Sequence, residues 1–278
     1  MACEFFSVCY SAPRYAQQEN LAERHMVVRG TPLPRRIAPD AIIEVLLELR
    51  FDAVSPLPEV LFGRFAELPA WRGFKQLSLP AYQVPVAFRE NDPTLRFTPV
   101  FELTGVNPAR AIRIGPHVLS YHRLAPYAGW DDFNAGLDIA IDSLFEKTYG
   151  LVVNRIGLRY INAFTRAGHG IDSVLDLDLQ ITVAGERLGG NLNLNFTIDV
   201  AEQTQCRVSV ATRDYFAGVV PADTVLLADV DVFTVAGYSS ASKDAVKQWV
   251  AAAHRHKNEA FFCLLTEGAL ARLRRDDL

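Results

Sequence analysis

Arg155 and Arg159 sit four residues apart in a run in which Ile156, Leu158 and Tyr160 alternate with Arg155, Gly157 and Arg159. Alternation of this kind marks a β-strand, so both guanidinium groups point to one face, about 13 Å apart at ~3.3 Å per residue. Guanidinium forks bind carboxylate or phosphate bidentately, and the pair could clamp an anion. Glu44 and Glu48 repeat the spacing on an earlier alternating segment. If the two strands are neighbours, the four charges form a cross-strand ladder instead, with Glu44 and Glu48 facing Arg155 and Arg159. Opposite charges at equivalent places favour the ladder. Arg113, His117 and Tyr121 also fall at period-two spacing. With Arg155 and Arg159 they complete the candidate ligand-binding set.

Other chemistry-bearing residues give weaker patterns. Asp229 and Asp231 share a strand face and could bind a divalent ion or act as acid and base, although paired carboxylates on a half-exposed strand usually form its wet side. His254 and His256 lie two apart on a helix, about 200° round the axis, and do not chelate together. His117 and His122 fall on opposite faces of an unbroken strand. No His-Glu-x-x-His or Cys/His cluster is present, so no metal ligands are expected. Gly185, Gly189 and Gly190 read as turn residues, without the strand, glycine loop and helix of a nucleotide site. No catalytic residue and no cofactor is legible.

The elements that would position these groups follow from periodicity. Ile43, Val45, Leu47, Leu49 and Phe51 form one face of a strand, followed by a short amphipathic helix over 59–68. Strands are expected over 82–90, 94–103 and 111–123, then a helix over 131–149 ending at Gly150. Asp131 and Asp132 suit that helix's first turn, where carboxylates meet the positive end of the dipole, and Trp130 is expected to pack there partly buried. The order then restarts: a strand over 152–164, a helical turn near 172–179, strands over 192–200, 205–216 and 224–236, and a helix from Ser242 towards Leu273. The expected fold class is therefore α+β, with antiparallel sheets covered by long helices. The order β-α-β-β-β-α is read twice, over 37–150 and 151–278, as an internal duplication.

With 278 residues, half of them hydrophobic and 22% charged, the chain can build a large core without staples. A net charge of −4 gives no general support for nucleic-acid binding. No apolar run approaches the ~20 residues of a membrane-spanning helix. Residues 1–25 lack hydrophobic periodicity and a signal-peptide pattern, and are expected to be a mobile extension that adds no strand to the core. The four cysteines form no Cys-x-x-Cys pair, which suits a reducing cytoplasm.

Trp130, Asp131, Asp132 and Phe133, followed by Arg155 through Asn162, resemble a sporadically distributed family of bacterial proteins of unknown function. Phe51 and the Ala260, Phe261, Phe262 helix are similar to it too, so the resemblance spans most of the chain after residue 37. It implies a bacterial cytoplasmic protein and supplies no activity. The expected function is a non-catalytic binding module, holding a small molecule or a protein partner in a groove between two similar halves. A hydrolase or transferase whose site assembles only in space is one alternative. An accessory subunit of a multi-protein bacterial system is another, and would expose a large apolar patch.

Overall fold

Strand β1 (Ile42–Asp52) buries Val45, Leu47, Leu49 and Phe51 and leaves Glu44, Leu46, Glu48 and Arg50 on the opposite side. Helix α1 (Pro58–Glu67) follows, with proline in its first turn, where a missing N–H loses nothing, and with Leu61 and Phe65 buried. Next come β2 (Lys75–Ser78), α2 (Val86–Asn91), β3 (Phe101–Val106), β4 (Ala109–Ile114), β5 (Val118–Leu124) and α3 (Trp130–Lys147). The second half runs β6 (Val152–Thr165), β7 (Asn193–Ala201), β8 (Thr204–Thr212), β9 (Thr224–Thr234), α4 (Lys243–Cys263) and α5 (Glu267–Leu273). This computed structural model describes residues 27–28, 31–34, 36–106, 109–216 and 220–275. The expected extension over 1–25 lies outside the described residues.

The α+β class is as read from the sequence. All nine labelled strands join one antiparallel sheet in the order β7-β8-β9-β6-β1-β5-β4-β3-β2. From the central β1–β6 pair outwards, each half places its first strand beside its last and then runs back to its second, through five strands in the first half and four in the second. Helices α3 and α4 pack antiparallel on one sheet face. Lys243 and Lys247 near the start of α4 reach Asp142 and Asp138 on α3, while His254 stacks on Trp130 at the other end with 3.8 Å between ring centroids. Trp130 is half-buried at the first position of α3, as expected.

Several elements differ from the periodic reading. Strand β2 over Lys75–Ser78 was not expected. The strand expected over 94–103 is confined to Phe101–Val106, because the chain turns after Asp92, whose Oδ1 accepts from the Thr94 N–H. Residues 82–90 are not a strand: Pro80 and Pro85 open a 3-10 turn and then α2. Tyr82, Val86 and Phe88 alternate without burial, Phe88 being 68% exposed. The span 111–123 is a hairpin, not one strand, because Gly115 and Pro116 turn the chain and the Gly115 N–H donates to the Val118 carbonyl. The C-terminal helix ends at Cys263, and Thr266 caps α5 by accepting from the Ala269 N–H.

Gly136 sets how closely α3 approaches the sheet. A methyl group there would stand 2.6 Å from Cζ of Tyr121 and nearer still to its hydroxyl. Helix propensity favours alanine over glycine by ~1 kcal/mol, whereas overpacking a core costs ~1–3 kcal/mol. Gly136→Ala is therefore expected to lower stability in urea unfolding. A gain of the full propensity difference would show that the helix shifts freely away from Tyr121.

Candidate functional site: the open face of the sheet

Residues opposite each other on antiparallel strands share a face, so the strand registers define rows across the side that α3 and α4 leave uncovered. One row reads Phe233, Gly157, Glu48, Ser120, Arg113 and Glu102. The next reads Arg207, Asp231, Arg159, Leu46, His122 and Ala111. A third reads Asn195, Ser209, Asp229, Ile161, Glu44 and Leu124. Charged and polar side chains thus concentrate on the seam and its flanking strands. The segment carrying α2 reaches this face at one end, where Arg50 lies 4.8 Å over the Phe97 ring.

The ladder forms in part. Arg155 donates through Nη1 to Glu48 at 2.9 Å, and Arg50 donates through Nε to the same carboxylate oxygen at 2.7 Å. Arg159 turns away from β1, because Leu46 stands opposite it there. Its Nε donates to both oxygens of Asp229 at 2.9 and 3.0 Å. That hydrogen bonding to Asp229 pushes the Arg159 pKa up. Burial works against the charge on Arg155, opposed by Glu48 and Asp231.

Asp231 lies 3.9 Å from Arg155, and burial raises its carboxyl pKa. Beside it opens a cavity of about 170 Å³ lined by Arg159, Asn195, Arg207, Ser209, Asp229 and Asp231. The seam between the halves is itself a hydrogen-bonded strand pair, so this cavity lies within the second half, over β6 to β9.

The other sequence candidates separate. Arg113 is on the open face and donates through Nε to Glu102 at 2.6 Å. His117 sits in the β4–β5 turn, with Nε2 2.9 Å from Glu90 and Nδ1 3.2 Å from the Phe51 carbonyl. Tyr121 points the other way: it is 1% exposed and stacks on Phe133 in the core. The hairpin at Gly115 to His117 interrupts the alternation that appeared to align the three.

Glu44, expected with Glu48 to face Arg155 and Arg159, instead meets His122. His122 Nδ1 is 2.8 Å from Glu44 Oε1, and Nε2 is 2.8 Å from Ser120 Oγ. Ser120 and His122 are the i and i+2 residues of β5, a spacing visible in the sequence; their glutamate is 78 residues distant from His122.

The covered face buries a cation of its own. Lys257 on α4 is 6% exposed, with Nζ 3.9 Å from the centroid of the Tyr160 ring. Burial lowers its pKa to about 7, against the pull of Asp40, and lowers that of neighbouring His254 to about 3.

Together these features define an α+β protein with a nine-stranded, helix-backed antiparallel sheet and a charged open face. Neither a family model, nor a curated protein, nor a solved structure matches the chain. Among the described residues, no helix is long and apolar enough to cross a membrane, and no group of three His, Cys, Asp or Glu could hold a metal ion.

Proposed function

We propose that the protein is a binding module that takes a charged end group of a small molecule, or a charged side chain of a protein partner, on its open sheet face. The cavity beside Asp231 carries this reading. Whole small ligands occupy pockets of ~300–1,000 Å³, so a volume of about 170 Å³ suits one end group rather than an entire ligand. Arg159 is already engaged by Asp229. That leaves Asp231 and Arg207 as the acidic and basic groups available to an occupant carrying both an amine and a carboxylate. The shared back-to-front strand order of the halves, five strands in one and four in the other, supports reading the chain as an internal duplication. The motif on β6 supports placing it with the bacterial cytoplasmic family it resembles.

Thermal-shift titration with free lysine, arginine and glutamate tests the reading. A ligand at 100 times its Kd stabilises the folded state by ~2.7 kcal/mol. At least one of these amino acids is expected to raise the Tm of the native chain and to lose its effect in Asp231→Asn and Arg207→Ala. Equal shifts in all three proteins, or none in any, would remove the cavity as a binding site.

A further inference from the structure

We propose that Ser120, His122 and Glu44 form a proton relay that makes Ser120 a nucleophile towards small, uncharged acyl donors. The inference rests on a different part of the open face from the cavity beside Asp231. Its first support is the direction in which the protons must run. An ionised carboxylate can only accept hydrogen bonds. Glu44 is kept ionised, its pKa lowered chiefly by the hydrogen bond to His122. The contact at 2.8 Å therefore requires the hydrogen on Nδ1. In neutral imidazole Nε2 is then bare, and the 2.8 Å contact with Ser120 must be an O–H donated by the serine. The hydroxyl is thereby aimed at a base that a third group orients, the arrangement that activates serine on unrelated folds.

The second support is the surrounding row. Ser120 lies between Glu48 on β1 and Arg113 on β4. Arg50 and Arg155 already engage Glu48. Arg113 holds Glu102 through Nε, which leaves its terminal amino groups to meet charge developing beside Ser120. Backbone N–H groups of a central strand are committed to the sheet ladder, so the guanidinium takes the part of an oxyanion donor. Ser120 is 4% exposed, so only a small donor that displaces the side chains around it reaches Oγ. The negative charge of Glu48 next to the serine favours an uncharged ester.

In the first step Oγ bonds to the acyl carbon while its proton passes to His122 Nε2. Glu44 stabilises the resulting imidazolium through Nδ1–H, and the tetrahedral oxygen carries its negative charge towards Arg113. Collapse breaks the bond to the leaving alkoxide, which takes the proton from Nε2. Water then repeats the sequence, releasing the carboxylic acid and restoring Ser120.

Methanesulfonyl fluoride, a small uncharged serine reagent, applied to the full chain and followed by peptide mass mapping, reads the outcome. An adduct is expected on Ser120, absent from Ser120→Ala and formed roughly 100-fold more slowly in His122→Asn, the lower end of what a positioned base contributes. Unfolding curves establish that each variant is native. Ser120→Cys supplies an independent measurement: its alkylation by iodoacetamide should also slow when His122→Asn is added. Absence of an adduct from the native chain, or equal rates with and without His122, would overturn the relay.

Discussion

Lys257→Met is expected to raise the unfolding free energy by up to ~5 kcal/mol below pH 7, and by steadily less as the pH rises towards 10. The folded-state pKa of about 7 lies well below the ~10.4 of an unfolded lysine. Between those values the unfolded chain binds more protons than the folded one, so stability of the native sequence rises with pH across that window. Below it both states are protonated and the full penalty of burying the ammonium applies, ~5 kcal/mol by the pKa difference. That figure is net of the attraction to the Tyr160 face, 3.9 Å away, because the folded-state pKa contains every interaction of the charge. Methionine fills similar space without a charge. Urea unfolding at pH 6, 8 and 9.5 measures the effect. A gain that is the same at all three values would show that no proton leaves Lys257 on folding.

Phe133→Ala should lower stability by ~3–5 kcal/mol, at the upper end of single substitutions. Phe133 is fully buried in the first turn of α3. Its ring stacks on Tyr121 at 5.4 Å and meets Tyr127, Tyr160 and Trp130 at 6.2–6.4 Å between centroids. Those partners come from three different elements and the loop before α3, so one truncation opens a cavity where helix and sheet meet. Phe133→Leu retains most of the volume and should lose less. If both substitutions fall below ~1 kcal/mol, the aromatic cluster collapses freely and is not a rigid joint.

Local sequence determined the elements that are long and strongly periodic. The alternation in β1, β6 and β9 and the apolar stripe of α3 each bury the residues that their periods select. Arg155 and Arg159 share the open face for the same reason: a strand's two-residue repeat is a property of its own backbone. The reading failed where short apolar alternation carried no burial, as in 82–90, and where a two-proline or glycine-proline turn divided a segment, as at Gly115.

Only the tertiary structure decided which side chains meet. Arg159 could have paired with Glu44; register set Leu46 opposite it on β1, and β9 supplied Asp229 on its other side. Glu44 was thereby left to His122, and the relay to Ser120 arose from strands that no local pattern identifies as neighbours. The folded-state pKa of Lys257 was equally invisible, since a lysine on a helix is ordinarily solvated. Periodicity is set within a few residues, whereas strand order, register and desolvation depend on packing between segments far apart in the chain.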